Sequence, residues 1–364
     1  MTMASNSELI PLIRKNHKKG MSPIKSILVA IAKNEGWYSG IKILPYYDDA
    51  MVLWIIGARR IGKTDLFLRV ACLLWIVFHL KTMWIRNKMV ELQSPEFSNG
   101  FLNDAIDKGW CPDSWRVMTD GVHESEDRDS ETLIKFMSIS TFSNARGGGH
   151  PDVEMMVFDE FCSEDRKYPK LCATGLLSLT KTVFSGRTTA RLFCLSNFVS
   201  VGNPYFVKMR IYPTKGKDIT FYPDKGMLIE RCSGYRCAIE DDNPWNRVYK
   251  TAGVGNYASE EEDDLHRLIM PIPKGARPDP YVILNDGIIY RGWNKNGARY
   301  FAEYKGDLKD TAIYTPNLKE CSDNVHLMMP FMRRHIDEDM QAGLLRFKDP
   351  NSLFAILSIA FDAV

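Results

Sequence analysis

The sequence predicts an α/β fold in which buried parallel strands alternate with helices. Three continuous apolar runs of strand length, within 51–56, 153–158 and 191–195, support this prediction. Such runs are typical of parallel strands that are covered on both faces. An apolar stretch of helix length at 66–80 follows the first run, and 82–86 predicts the next strand. This strand–helix–strand order is typical of an α/β domain.

The segment between the first strand and its helix has the spacing of a phosphate-binding loop, G-x-x-x-x-G-K-T. Gly57 and Gly62 let the backbone curl and direct N–H groups at phosphate oxygens. Lys63 places a positive charge against the β- and γ-phosphates, and Thr64 offers a hydroxyl to Mg²⁺. The alternative, a glycine turn in an unrelated α/β domain, is disfavoured by the strand before the motif and the helix after it. The residues predicted to bind ATP are Gly57, Ala58, Arg59, Arg60, Ile61, Gly62, Lys63 and Thr64.

The second apolar strand ends in two carboxylates, Asp159 and Glu160. This is the Walker B arrangement, in which the aspartate holds Mg²⁺ and the glutamate orients and deprotonates the attacking water. Such a pair is common after apolar strands, so the preceding phosphate-binding loop is what favours a catalytic role. The sequence therefore predicts Thr64 and Asp159 as metal ligands and Glu160 as the catalytic base.

The third apolar strand ends in Ser196 and Asn197. In P-loop ATPases with an additional strand between the two Walker strands, a polar residue at this position faces the γ-phosphate. Asn197 is therefore predicted to hydrogen-bond the attacking water or the phosphate. The alternative is an asparagine that only begins a turn. The order of the three motifs along the chain favours the catalytic role.

The composition is that of an ordinary globular protein, with 45% hydrophobic and 25% charged residues. The length of 364 residues is enough for two or three domains. Because the formal net charge is only +2, contacts with nucleic acid must come from local basic patches. No two cysteines have C-x-x-C spacing, which disfavours a zinc site. The longest apolar run is too short to span a membrane and the N-terminus lacks a signal-peptide pattern, so we expect a soluble intracellular protein.

Changes in sequence texture predict four regions. They are an N-terminal extension at 1–40, a P-loop ATPase domain at 41–207, a linker region at 208–258 and a C-terminal domain at 259–364. A basic run at 14–19 makes the extension either a nucleic-acid or partner contact or a solvated tail. In the C-terminal domain, short apolar runs separated by Asn-Asp-Gly and Asn-Lys-Asn-Gly predict β-hairpins, and two helices close the chain.

Three stretches resemble the DNA-packaging ATPases of phi29-type tailed bacteriophages. They are 56–64, 157–161 and 194–206, and the last is long and idiosyncratic. A fainter similarity runs from 281 to the end of the chain. The resemblance implies a P-loop ATPase domain of the additional-strand, catalytic-glutamate type, a mostly parallel sheet flanked by helices. It also implies a smaller α+β C-terminal domain, an RNase H-like vestigial nuclease.

The same resemblance implies a function and its partners. The subunit would use ATP and Mg²⁺ to translocate double-stranded DNA into a preformed procapsid through the portal vertex. It would act in a homo-oligomeric ring, a pentamer in the family, and the best-known members assemble with a phage structural RNA. The implied location is the host cytoplasm and, transiently, the portal vertex of the procapsid, without a membrane.

The chain departs from the family pattern at the trans-acting arginine, which the family carries just before the third strand. The position that matches this arginine is Ser185. Arg187, two positions later, is our candidate for the catalytic finger, and Arg191 is the second. Arg146, in the glycine-rich loop, is a further alternative.

Two other functions compete with the motor. An active terminase would add a metal-dependent nuclease, which needs carboxylates converging on a metal ion. A regulatory P-loop NTPase would explain the phosphate-binding loop but not the long match at 194–206. The carboxylates available to a nuclease are Asp286, Glu303, Asp307 and Asp310. We expect the C-terminal domain to bind or guide nucleic acid rather than cut it, and the basic residues that suggest this are Lys274, Arg277, Lys295, Arg299, Arg333 and Arg334.

Overall fold

The computed structural model describes most of the chain. The described residues are 5–32, 37–127, 129–141, 150, 152–162, 168–197, 202–214, 216–235 and 268–362. Contacts between residues divide the chain into two compact units. The first comprises Met1–Ser163, Thr174–Phe198 and Pro213–Glu261, and the second comprises Glu164–Ala173, Val199–Tyr212 and Glu262–Val364.

The first unit is a sheet with helices on its faces. Its helices are α1 (Asn6–Lys18), α2 (Pro23–Ile31), α3 (Lys63–Phe78), α4 (Met89–Leu92), α5 (Pro95–Asp107) and α6 (Cys172–Phe184). Its strands are β1 (Val52–Gly57), β2 (Lys81–Arg86), β3 (Arg116–Met118), β4 (Gly121–His123), β5 (Thr132–Ser138), β6 (Val153–Asp159), β7 (Arg191–Ser196), β8 (Ile219–Tyr222) and β9 (Met227–Cys232).

The strand order in this sheet is β3-β4-β5-β2-β6-β7-β1-β9-β8. Neighbouring strands from β5 to β9 in this order run parallel, and the pairs at both edges are antiparallel. Every residue of β6 and β7 is buried, as the continuous apolar runs predict. β7 lies between β6 and β1, so the predicted additional strand between the two Walker strands is confirmed.

The described residues of 1–40 pack differently from the predicted extension. Leu9 and Ile13 of α1 and the apolar face of α2 are buried in the same core as β1 and α3. The spacing explains this, because residues four apart lie on one face of a helix. Asn6 donates to the carbonyl of Trp110 and accepts from Arg69 Nε, so polar contacts also join α1 to this unit. The basic side chains at 14, 15, 18 and 19 are exposed.

The predicted linker at 208–258 also contributes to the first sheet. β9 pairs in parallel with β1 along its whole length, and β8 pairs antiparallel with β9. Leu228 and Ile229 of β9 are fully buried. The short apolar run at 227–229 is followed by two charged residues and carries too little signal in isolation, because its pairing partner is more than 150 residues earlier in the chain.

The second unit contains a mixed sheet, in the order β14-β13-β10-β11-β12-β15. Its strands are β10 (Arg277–Asn285), β11 (Ile288–Lys295), β12 (Ala298–Glu303), β13 (Ala312–Thr315), β14 (Val325–Leu327) and β15 (Leu345–Phe347). β10, β11 and β12 are antiparallel, which confirms the predicted hairpins, and β13 and β14 continue the sheet in parallel beyond β10. Among the described helices, none is long and apolar enough to cross a lipid bilayer.

The helices of the second unit are α7 (Pro204–Met209), α8 (Pro330–Gln341) and α9 (Pro350–Asp362). The two predicted C-terminal helices are therefore confirmed. α7 begins in the region predicted as the ATPase domain and ends in the predicted linker, but it packs against α9. Val207 of α7 lies in the core that Phe347, Ile356 and Leu357 form. The apolar face of α7 is completed by residues far along the chain, which the local sequence does not indicate.

Candidate nucleotide-hydrolysis site

The phosphate-binding loop requires glycine at both ends. A Cβ on Gly57 would lie 2.6 Å from the Cβ of Cys232, because β9 runs directly beside β1. Gly62 has a φ of 93°, in the left-handed region that favours glycine, and it precedes the first residue of α3. No described side chain caps the start of α3. The first N–H groups of this helix therefore suit an anion such as phosphate.

Lys63 is held inside the loop. Its side chain is buried, and Nζ donates to the carbonyls of Gly57 and Ala58, each at 2.7 Å. Nζ also donates to Oδ1 of Asn197 at 3.2 Å. The structure thus brings Asn197, which directly follows β7, to the ammonium group of Lys63 in the phosphate-binding loop. A phosphate at the loop would meet both groups.

Thr64 and Asp159 face each other across the gap between α3 and β6. The Thr64 hydroxyl donates to Oδ1 of Asp159 at 3.3 Å, and the aspartate is buried. A hydroxyl and a carboxylate are hard oxygen donors, which is the ligand type that Mg²⁺ prefers when phosphates supply its other ligands. The predicted metal-binding pair therefore fits the ion chemically.

Glu160 follows the end of β6 in a left-handed conformation, with a φ of 54°. Non-glycine residues rarely adopt this region, at a cost of about 1–3 kcal/mol. The backbone around it is fixed on two sides. Asn87 donates to the carbonyls of Glu160 and Phe161, and the Phe161 N–H donates to the Leu195 carbonyl of β7. This strained and anchored turn sets the direction of the predicted base.

Arg86, which the sequence reasoning missed, contacts both predicted catalytic carboxylates. Nη2 lies 2.7 Å from Oδ2 of Asp159, and Nη1 lies 2.7 Å from Oε2 of Glu160. The side chain is mostly buried, with its guanidinium 5.1 Å from the ring centroid of Phe97. Arg86 ends β2, and β2 is the neighbour of β6. The only signal in the sequence was a basic residue at the end of a predicted strand.

The surroundings of Glu160 shift its pKa in opposite directions. Burial raises the pKa of its carboxyl group and Asp159 raises it further, whereas the positive charges of Arg86 and Arg59 lower it. A carboxylate must be ionised to accept a proton from water. Arg86 therefore helps to keep the predicted base in its active form, in addition to orienting it.

We expect Arg86→Met to move the acid limb of the ATPase pH–rate profile to higher pH. Loss of the guanidinium removes a charge that lowers the Glu160 pKa, so the base ionises only at higher pH. The chain should also lose about 3–5 kcal/mol of unfolding free energy, because Asp159 stays buried without its partner. Arg116→Met is the control, since Arg116 pairs with Glu126 at the surface. An unchanged acid limb in a folded Arg86→Met protein would contradict this role.

The predicted arginine finger is engaged by its own chain. Arg187 donates through Nη2 to the carbonyls of Val183 and His150, at 2.6 and 3.0 Å, and through Nε to Phe184. Arg191 is buried and donates to backbone carbonyls that include that of Tyr47. Arg146 lies outside the described residues. In this conformation the guanidinium of Arg187 donates to the last carbonyl groups of α6 and caps the C-terminal end of that helix.

The carboxylates considered for a nuclease are dispersed in the second unit. Asp286 pairs with Arg210 in the β10–β11 turn, and Glu303 pairs with Lys305. Asp307 accepts from the N–H of Lys309. In the described parts of the chain, no group of three or more His, Cys, Asp or Glu side chains is placed to hold a metal ion.

One of the basic residues expected to contact nucleic acid lies inside the second unit. Arg299 donates to Oδ2 of Asp279 at 2.6 Å and to the Tyr281 hydroxyl, and it lies 3.5 Å from Asp339. These residues line a cavity of about 560 Å³ between the sheet and α8. Arg299 therefore stabilises the domain and is not part of a basic surface, whereas Lys274, Arg277 and Arg334 are exposed.

The sequence matches one family over more than half of its length. A family model described as the podovirus DNA encapsidation protein (Gp16) matches residues 34–236. A DNA packaging protein of Bacillus phage PZA is 30% identical over 336 residues, which cover 90% of this chain and 96% of the relative. A DNA packaging protein of Bacillus phage phi29 is 31% identical over 196 residues, which cover 53% of this chain and 55% of the relative.

Two solved structures share the fold. One is of the Phi-28 gp11 DNA packaging motor, with a TM-score of 0.68 at 16% identity over 91% of this chain and 98% of that chain. The other is of the bacteriophage Phi-29 viral genome packaging motor assembly, with a TM-score of 0.61 at 22% identity over 89% of this chain and all of that one. At these identities the likeness establishes the arrangement of strands and helices.

Proposed function

Because this chain belongs to the podovirus DNA encapsidation protein family, we propose that it is an ATP-driven motor subunit that packages a viral genome. Its substrate is double-stranded DNA, and its docking site is the portal vertex of a preformed procapsid in the host cytoplasm. The observation that carries the proposal is the convergence of Lys63, Thr64, Asp159, Glu160 and Asn197 at the ends of three adjacent strands. The subunit works in a ring, pentameric by resemblance to the family, in which a phage structural RNA is a further partner.

The residues of this site divide the work of hydrolysis. The loop from Gly57 to Thr64 binds the phosphates of ATP, and Lys63 meets the β- and γ-phosphates. Bound Mg²⁺, held by Thr64 and Asp159, would neutralise charge on the phosphate oxygens. Glu160 accepts the proton of the attacking water, and Asn197 orients that water or the γ-phosphate.

Arg86 orients the base. Its guanidinium contacts Oε2 of Glu160 at hydrogen-bond distance, which leaves Oε1 to accept from a water molecule. Asp159 Oδ1, which faces Thr64, is the oxygen that Arg86 leaves to the metal ion.

Arg187 remains our proposal for the trans-acting arginine, although it must first release the carbonyls of α6. We expect Arg187→Ala and Glu160→Gln subunits each to hydrolyse ATP poorly alone and better when mixed. In a mixed ring, an Arg187→Ala subunit keeps its own Glu160 and receives Arg187 from a Glu160→Gln neighbour. The measurement is ATPase turnover at varied mixing ratios. Full turnover by Arg187→Ala alone would assign Arg187 to the stability of α6 and leave Arg146 as the finger to test.

We further propose that the second unit is RNase H-like and guides nucleic acid without cutting it. An antiparallel trio of strands continued by two parallel strands, as in β12-β11-β10-β13-β14, supports the comparison. The dispersal of Asp286, Glu303 and Asp307 favours a vestigial site over an active terminase, because a two-metal nuclease needs converging carboxylates.

The deciding experiment combines purified protein with procapsids that carry their portal, linear double-stranded DNA and MgATP. We expect DNA to become resistant to added nuclease only when ATP is hydrolysed, and images of stalled complexes to show a ring at the portal. DNA that stays fully digestible, beside ordinary ATPase activity, would favour the regulatory NTPase instead. Cleavage of free DNA with Mn²⁺, lost in Glu303→Gln or Asp307→Asn, would establish the active terminase.

A further inference from the structure

A short segment before β1 lies against the apex of the phosphate-binding loop. The backbone N–H of Tyr38 donates to the carbonyl of Ile61 at 2.9 Å. A Cβ placed on Gly62 would lie 3.6 Å from the ring of Trp37, so the segment reaches the residue that begins α3. Ile61 itself is buried. The loop is thus supported by residues outside its own motif.

The other end of Tyr38 is anchored in the sheet. Its hydroxyl donates to Oε2 of Glu230 at 2.7 Å, and both side chains are buried. Glu230 belongs to β9, where it is paired with Ile55 of β1. Its second oxygen, Oε1, is buried and has no hydrogen-bond partner in the described part of the chain. Tyr38 therefore connects the apex of the loop to the strand beside β1 through one side chain.

We propose that Tyr38 and Glu230 are positioning residues that hold the phosphate-binding loop in its nucleotide-binding shape. The proposal rests on the proposed nucleotide site. If the Ile61 carbonyl is fixed, the N–H groups of the two following residues keep their direction toward the phosphates. A loop that is ordered before binding loses less conformational freedom on binding, so the affinity for nucleotide is higher.

The contact that holds the loop involves a titratable carboxyl group inside the sheet, that of Glu230. Burial is the main cause that raises the pKa of Glu230, to about 7, and the hydrogen bond from Tyr38 opposes it. The other titratable and charged groups facing this site are Tyr235, Cys232, Lys42 and Asp218. Lys42 favours the ionised form of Glu230 and Asp218 disfavours it, but the two pair with each other at 2.7 Å, so their effects partly cancel.

The hydrogen bond from Tyr38 lowers the pKa of Glu230, which means that it is stronger when Glu230 is ionised. The contact that holds the loop is therefore firmest when Glu230 carries its charge. Affinity for nucleotide should rise as pH rises through about 7, the range in which Glu230 ionises.

The test is the dissociation constant of MgATP for the full chain between about pH 6 and pH 8. We expect Tyr38→Phe and Glu230→Leu each to raise it about tenfold, because each removes one partner of the buried hydrogen bond. Glu230→Gln keeps an acceptor for the tyrosine but cannot ionise. It should bind MgATP like the wild type at low pH and lack the rise in affinity at high pH.

Tyr235→Phe is the matched control. Tyr235 packs edge-on against Tyr38, with ring centroids 5.4 Å apart, and its buried hydroxyl has no hydrogen-bond partner among the described residues. Its loss should leave the affinity for MgATP unchanged. If Tyr38→Phe lowers the melting temperature but binds MgATP like the wild type at every pH, the pair is only structural and the inference is overturned. Absence of MgATP binding by the wild-type chain would instead contradict the nucleotide site itself, and with it this role of Tyr38.

Discussion

Lys63→Ala is expected to abolish detectable nucleotide binding and ATP hydrolysis while the protein stays folded. The ammonium group is the buried positive charge of the loop, and its acceptors are two loop carbonyls and Asn197. Removing one preorganised charge of this kind lowers turnover by at least about 10²–10³-fold. The measurements are MgATP binding by calorimetry and steady-state phosphate release, beside a thermal melt.

The thermal melt distinguishes a loss of catalysis from a loss of the folded structure. The carbonyls of Gly57 and Ala58 lose a donor in the Lys63→Ala protein, at about 1–3 kcal/mol of stability, which leaves most domains folded. Lys81→Ala is the control. Lys81 is the first residue of β2, so it lies at the amino ends of the parallel strands, away from the catalytic residues at their carboxyl ends, and it pairs with Glu131. Near-normal hydrolysis by a folded Lys63→Ala protein would remove the loop from the catalytic site.

Glu160→Gln is expected to lower turnover by about 10²–10⁴-fold and to leave MgATP binding intact. The amide has nearly the shape of the carboxylate and can still accept from Arg86, but it cannot take a proton from water. Because Thr64 and Asp159 are unchanged, the metal-binding pair remains. Single-turnover phosphate release and equilibrium binding of a slowly hydrolysed ATP analogue measure the two effects separately.

Glu91→Gln is the matched control for this substitution. Glu91 lies close enough to raise the pKa of both Arg86 and Glu160, yet no hydrogen bond joins it to them. Its loss should change turnover by less than about threefold, as expected for a screened charge. If Glu160→Gln instead loses affinity for the ATP analogue in proportion to its activity, Glu160 binds nucleotide or metal and a different base must be sought.

The local patterns of the sequence predict the parallel part of the first sheet and the residues at its edge. Apolar runs and the phosphate-binding motif depend on neighbours in the chain, so β1, α3, β6 and β7 could be placed from sequence. Arg86 could not, since its role comes from the adjacency of β2 and β6. Nothing in the chain near Arg86 specifies that adjacency.

Dependence on distant parts of the sequence also explains why the contact that supports the phosphate-binding loop could not be predicted. Tyr38 contacts Glu230 across 192 positions of sequence, and each looks like an ordinary residue of its own segment. The one signal in the sequence is a glutamate that directly follows the apolar run of β9. The predicted boundary at 207 falls inside α7 for a related reason, because the apolar face of this helix packs against α9, which is far away in the sequence.

Because α1 and α2 pack into the first unit, the folded unit includes helices that precede the start of the family match. The family match begins at 34, whereas Ile24, Ile27 and Leu28 are fully buried against the unit that contains α3. A chain shortened to the family match would expose the apolar surface that these residues cover. Such a surface favours self-association over a stable monomer. Sequence relatives that lack these two helices must therefore protect the corresponding face of α3 in another way, with a different segment or with a partner.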